Sequence, residues 1–194
     1  MTVIRLASGA LLLHSPNPLV PELRRSLEEL GPVRFLIAPS LMHASFLEDY
    51  LAAFPGAKLF AAPGLSVVRP ELALEAELGD EESGGGLSAG AAPWGEEIDH
   101  LLTEGVPRLN EVAFFHRPTR TLLLTDYAHN VGPDNPWLTR LVFRAIRGYG
   151  GLGPTRYFRS LVEDPAAVWR SVERIARWDF ERVLVCHGQE SATT

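Results

Sequence analysis

Over the first sixty residues, apolar runs of strand length alternate with segments of helical periodicity. This alternation restricts the chain to sheets covered by helices. Residues 2–6 and 10–13 read as two short strands around the turn Ser8-Gly9. Leu19, Leu23, Leu27 and Leu30 then recur at spacings of three and four behind Pro18 and Pro21, and Gly31-Pro32 stops that helix. The continuous run Val33-Arg34-Phe35-Leu36-Ile37 suits a buried strand. Ser40 is the expected N-cap of the next helix, with His43 in its first turn and Phe46, Leu47, Tyr50, Leu51 and Phe54 as its apolar stripe. Pro55-Gly56 ends it, and residues 58–62 form another strand.

The second half keeps the same vocabulary after an interruption. Residues 79–92, Gly- and acid-rich at their start, read as a mobile surface loop within a single domain spanning residues 1–194. Strands are expected at residues 98–102, 111–116 and 121–125, with Pro118-Thr119-Arg120 turning the last two. Trp137, Leu138, Leu141, Val142, Ala145 and Ile146 mark a helix. The glycines of residues 148–154 follow that helix instead of preceding one, so they are no phosphate cradle. Asp164-Pro165 pairs an N-cap with proline at the first helical position, opening a helix with Val168, Trp169, Val172, Ile175 and Ala176 inward. Residues 182–186 make a final buried strand, followed by His187-Gly188.

Composition removes several function classes. The net charge of −6, with no basic block, argues against a nucleic-acid backbone as partner. No run approaches the ~20 apolar residues of a membrane span, and the N-terminus does not resemble a signal peptide. A single cysteine, Cys186, excludes an intrachain disulfide and points to a reducing, cytoplasmic setting. The partner expected is a small molecule of unknown identity; oligomeric state is left open.

Three polar residues share one kind of address. His43 follows strand 33–37, Asp126 follows strand 121–125, and His187 follows strand 182–186. Groups just past the carboxyl ends of strands line the ligand crevice of open α/β sheets. Two imidazoles and a carboxylate suit a divalent transition metal. Singly, each has a plainer explanation: Asp126 as a turn cap, His187-Gly188 as a strand exit, a histidine as a hydrogen-bonded surface group. The case rests on the three together.

The order of these residues resembles the metallo-β-lactamase superfamily across nearly the whole chain. The resemblance implies a four-layer α/β/β/α metallo-β-lactamase-like sandwich. It also implies which ligands are missing. With His43 aligned to the last histidine of that superfamily's first motif, Ala38, Ser40 and Met42 stand where His, His and Asp belong. Residues 106–110 contain no counterpart of the lone mid-chain histidine. Asp126 matches the bridging aspartate and His187 the final histidine. What survives is most of one half-site, implying one zinc or iron ion, or none. Leu13-His14-Ser15-Pro16, Ala62-Pro63-Gly64-Leu65, Asn110-Glu111 and His116-Arg117-Pro118-Thr119-Arg120-Thr121-Leu122 resemble an uncharacterised metallo-β-lactamase-like family in finer wording.

Two functions follow. One is a mononuclear metal-dependent hydrolase or oxidoreductase in which Asp126, or the metal-bound water it orients, serves as base and His129, three residues on, as a replacement ligand or an acid/base. The other is a non-catalytic binding or interaction module that has lost its metal centre. Ion affinity is expected to fall as pH drops through about 6.5, the ordinary imidazole range. His116 reads as part of a solvated turn, Asn110-Glu111 as turn chemistry only, and Trp94 and Trp137 as core or lid packing. Strand alternation points Cys186 away from the site as a buried, inert thiol.

Overall fold

The computed structural model describes residues 1–79, 85–188 and 191–192. Its elements run β1 (Thr2–Arg5), β2 (Leu11–His14), α1 (Pro21–Leu30), β3 (Val33–Ala38), α2 (Leu47–Ala53), β4 (Lys58–Ala61), α3 (Leu65–Val68) and β5 (Leu74–Glu77). They continue with β6 (Ile98–Leu102), β7 (Val112–His116), β8 (Thr121–Leu124), α4 (Trp137–Ala145), α5 (Arg156–Leu161), α6 (Pro165–Ile175), β9 (Arg182–Val185) and β10 (Ser191–Ala192). One sheet has the order β1-β2-β3-β4-β5, the other β10-β9-β8-β7-β6. In the first, β2 to β5 are parallel and β1 is antiparallel to β2; in the second, only β8 and β9 are parallel.

Three apolar interlayers give the α/β/β/α order. Leu12, Ile37, Phe60, Phe114 and Leu123 meet between the sheets, with Trp94 fully buried edge-on to Phe60 at 4.7 Å. Leu27, Leu47 and Tyr50 cover the outer face of the first sheet against Leu13, Leu36 and Leu59. Phe158, Leu161 and Ile175 cover the second against Ala113, Leu122 and Val183. Alternate residues of one strand thus serve different layers, Leu12 inward and Leu13 toward the helices.

Several expectations shift. Helix α1 starts at Pro21, not around Pro18. The helix expected from Ser40 begins only at Leu47, and Ser40 caps nothing. Its segment is drawn off by the other sheet: Val112 N donates to Pro39 O at 2.7 Å and Leu41 N to Leu109 O at 2.9 Å. His43 therefore sits in a turn, its N–H on Ser40 O at 3.2 Å. Trp169, placed inward on periodicity, is 64% exposed, and the inner face of α6 is Ala167, Ser171 and Ile175. Trp137 is 68% exposed rather than packed. Short elements α3, β5 and α5 carry too few residues for a periodic signal. Of the loop expected at residues 79–92, residues 80–84 lie outside the described residues; Gly79 N and Leu87 N pair with Leu87 O and Glu77 O.

Asp164 caps α6, accepting from Ala166 N at 2.9 Å and Ala167 N at 3.1 Å. Asp164→Ala is expected to lower stability by about 1 kcal/mol. Urea unfolding should show a lower midpoint with an unchanged slope.

Candidate metal centre

Parallel pairing aligns the carboxyl ends of β2 with β3 and of β8 with β9, and the two pairs face each other at one rim of the sandwich. His43 Nε2 lies 3.2 Å from Asp126 Oδ2, and His187 Nε2 lies 3.5 Å from Asp126 Oδ1. One ligand atom from each of His43, Asp126 and His187 falls within 4.8 Å of the other two. Among the described residues these form the one group of three or more His, Cys, Asp or Glu side chains so placed. His129 adjoins it, with Nε2 3.7 Å from Asp126 Oδ1 and its ring stacked on His187 at 5.2 Å between centroids.

The loop carrying Asp126 is held from below by Glu111, which the sequence suggests only as part of a turn. Glu111 accepts from Thr125 N at 2.6 Å through Oε1, and from Asp126 N at 2.8 Å and Tyr127 N at 2.9 Å through Oε2. Asn110-Glu111 is thus more than turn chemistry: its fully buried carboxylate orients the backbone that presents Asp126. The local signal was only an acid directly before an apolar strand. Its partners lie 14–16 residues away, beyond the reach of any local pattern. Further along, His129 exchanges backbone hydrogen bonds with Gly153, and Asn130 N donates to His187 O at 3.0 Å. Gly188 has φ 121°, and a Cβ there would stand 2.0 Å from Asn130 O, so this crossing accepts only glycine.

Ser15 was also passed over. Its Oγ is 2.6 Å from His43 Nδ1. Cys186, expected to point away from the site, instead lines it beside His43 and is half-buried. The strand ends at Val185, so alternation no longer governs the residue after it. The cavity they share has a volume of about 330 Å³, with Met42 and Phe46 at its rim.

Electrostatics divide the histidines. Burial opposes charge on His43, but the Asp126 hydrogen bond and the Cys186 side chain outweigh it, raising its pKa to about 10. Burial works against the Asp126 carboxylate, yet hydrogen bonds from His187 and His43 hold it well below the usual carboxylate range. For His129, burial and the neighbouring His187 lower the pKa to about 4, so this ring is neutral near pH 7. Burial lifts Glu111 to about 7, against its backbone donors.

Other candidates lie elsewhere. His14 is buried edge-on to Phe114 at 5.1 Å, with burial first among the causes lowering its pKa to about 3. His116 is at the β7–β8 turn, its Nδ1 2.7 Å from Thr119 Oγ1. Ala38 and Ser40 are fully buried, and Asn110 Nδ2 bonds Pro63 O at 3.0 Å.

The donor set fits one divalent ion: two imidazoles and a carboxylate converge, each on a strand end or a pinned loop, and the cavity opens on them.

Residues 1–149 match the family described as "Domain of unknown function (DUF4336)". No protein of curated function matches the sequence. Solved structures similar to the chain include a metallo-beta-lactamase of Hirschia baltica, at TM-score 0.60 and 12% identity, covering 98% of this chain and 78% of that one. A metallo-beta-lactamase of Pontibacter korlensis is similar at TM-score 0.57 and 11% identity, over 98% of this chain and 80% of that one. The rubredoxin oxygen:oxidoreductase of Desulfovibrio gigas is similar at TM-score 0.56 and 14% identity, over 93% of this chain and 46% of that one. The fold is metallo-β-lactamase-like. Among the described residues no helix is long and apolar enough to cross a membrane.

Proposed function

Since the chain belongs to the DUF4336 family and has a metallo-β-lactamase-like fold, we propose that it is a mononuclear metal-dependent hydrolase of a small molecule. The observation that carries this reading is the convergence of His43, Asp126 and His187 at the mouth of a cavity. The residues would hold a zinc or iron ion through one nitrogen of each imidazole and one oxygen of Asp126. Such an ion supplies Lewis acidity toward a substrate oxygen and makes water a stronger acid. The chain's own groups do the rest. Asp126, with an oxygen toward each of His43 and His187, anchors the set and orients the attacking water. Neutral His129 adjoins the Asp126 carboxylate and is available as a further ligand. Met42 and Phe46 give the rim an apolar surface for the substrate body.

The test is metal content after reconstitution near neutral pH, with one equivalent expected. Two equivalents would overturn the mononuclear reading; no uptake would leave the non-catalytic binding module. Because the ion needs neutral imidazole, uptake at pH 7.5 should release about one proton, seen as a dependence of calorimetric enthalpy on buffer ionisation. Affinity should rise with pH, about tenfold per unit, until His43 titrates at about 10. This extends the dependence above the ordinary imidazole range expected from sequence, and the cause is the partners of His43, Asp126 first. The sign for the metal-free fold is opposite. The raised pKa of His43 contributes stability in full below pH 6.5 and loses it as pH climbs to about 10.

A further inference from the structure

The segment Leu13-His14-Ser15-Pro16 contributes no ligand to the ion, yet its serine touches the His43 ring at hydrogen-bond distance. Ser15 follows β2 with φ 57°, in the left-handed region that few non-glycine residues adopt. Proline at position 16 narrows its backbone choices further. Its N–H extends the β2–β3 ladder by donating to Ile37 O at 3.0 Å. Everything the turn asks of the backbone, glycine would meet without strain. What glycine lacks is the hydroxyl, and that hydroxyl lies 2.6 Å from His43 Nδ1 in a side chain that is buried.

We propose that Ser15 is the positioning residue of the metal centre: its Oγ accepts the Nδ1 hydrogen of His43, fixing the ring so that the Nε2 lone pair faces the ion position beside Asp126. This rests on the metal reading above. The geometry leaves the ring little freedom. Nε2 is the nitrogen 3.2 Å from Asp126 Oδ2, so with Nδ1 committed to Ser15 the other nitrogen is the one aimed at the carboxylate and the cavity. His43 itself sits in a turn rather than on a helix, so its backbone alone does not set the ring plane. A hydrogen-bonded partner on the far nitrogen selects the tautomer and raises the basicity of a ligating imidazole, and loss of one typically costs 10–100-fold in affinity. The left-handed backbone at Ser15 is then the conformation that delivers the hydroxyl to the ring, which is where strained backbone is found in sites of this kind.

The experiment compares zinc affinity, by chelator competition, with thermal unfolding of the metal-free protein in four forms: wild type, Ser15→Gly, Ser15→Ala and Ser15→Asn. Ser15→Gly removes the hydroxyl and relieves the backbone, so zinc should bind about 10–100-fold more weakly while Tm falls less than in Ser15→Ala, where the backbone strain remains. Ser15→Ala and Ser15→Asn both keep a Cβ. Asn tolerates the left-handed region and carries an acceptor oxygen, so it should recover most of the affinity that Ala loses. A purely structural serine would reverse this pattern, with affinity unchanged and Tm falling. Equal zinc affinity in wild type, Gly and Ala forms would overturn the assignment of Ser15. Absence of zinc binding in the wild type would instead overturn the metal reading itself, so the two failures are distinguishable.

Discussion

His187→Ala is expected to abolish metal uptake while leaving the fold intact. Removing that imidazole leaves only His43 and Asp126 of the three converging ligands, for an ion that needs three or four donors. The loss should exceed the roughly 10–100-fold seen when only a supporting hydrogen bond to a ligand is removed. Stability should move little, within about 0.5 kcal/mol, because the His187 side chain is 45% exposed and its backbone bond from Asn130 survives. Asp126→Asn should also abolish uptake and, in addition, lower the His43 pKa toward its ordinary value, since Asp126 is the larger of the two partners, with Cys186, that favour charge on that ring. Elemental analysis of reconstituted protein and an NMR titration of His43 report the two effects separately. Wild-type and His187→Ala proteins with the same metal content would remove the proposed centre.

Glu111→Ala should be the most destabilising single change near the site. It would leave the N–H groups of Thr125, Asp126 and Tyr127 without their acceptor, in a place the chain closes to water. Each unpaired buried donor costs about 1–3 kcal/mol. With some relaxation the total should be about 3–5 kcal/mol, a large share of the roughly 5–15 kcal/mol a domain has in all. Ion affinity should fall as well, because the same bonds aim Asp126. Equilibrium unfolding in urea gives the first number and hydrogen exchange at residues 125–127 locates it. A loss under about 1 kcal/mol, with those amides still protected, would mean that the backbone there holds itself.

These two expectations differ in how they could be reached. His187 and Asp126 were legible because each ends an apolar strand, and strand ends are local features. Glu111 was not, because its role is a set of three bonds to residues of the loop after β8. Cys186 was misjudged for a related reason: alternation holds only while the strand lasts, and β9 stops one residue before it. Trp169 followed helical spacing and still faces solvent, because the layer it would have entered is already filled from α6 by Ala167, Ser171 and Ile175.

The amino-acid sequence by itself determined the alternation of strands and helices, since the periods of two and 3.6 residues are written in neighbouring side chains. It also determined the cap at Asp164 and the three strand-end residues, and through its resemblance to the metallo-β-lactamase superfamily the four layers. Tertiary structure alone decided where the second helix begins, because bonds from the other sheet to Pro39 and Leu41 displaced the helix that Ser40 would have opened. It alone brought Ser15 and Glu111 to the site and set His43 and His129 on opposite sides of neutrality. Hydrogen bonds between distant residues and the loss of water around a ring depend on distances in space, and no spacing along the chain encodes them.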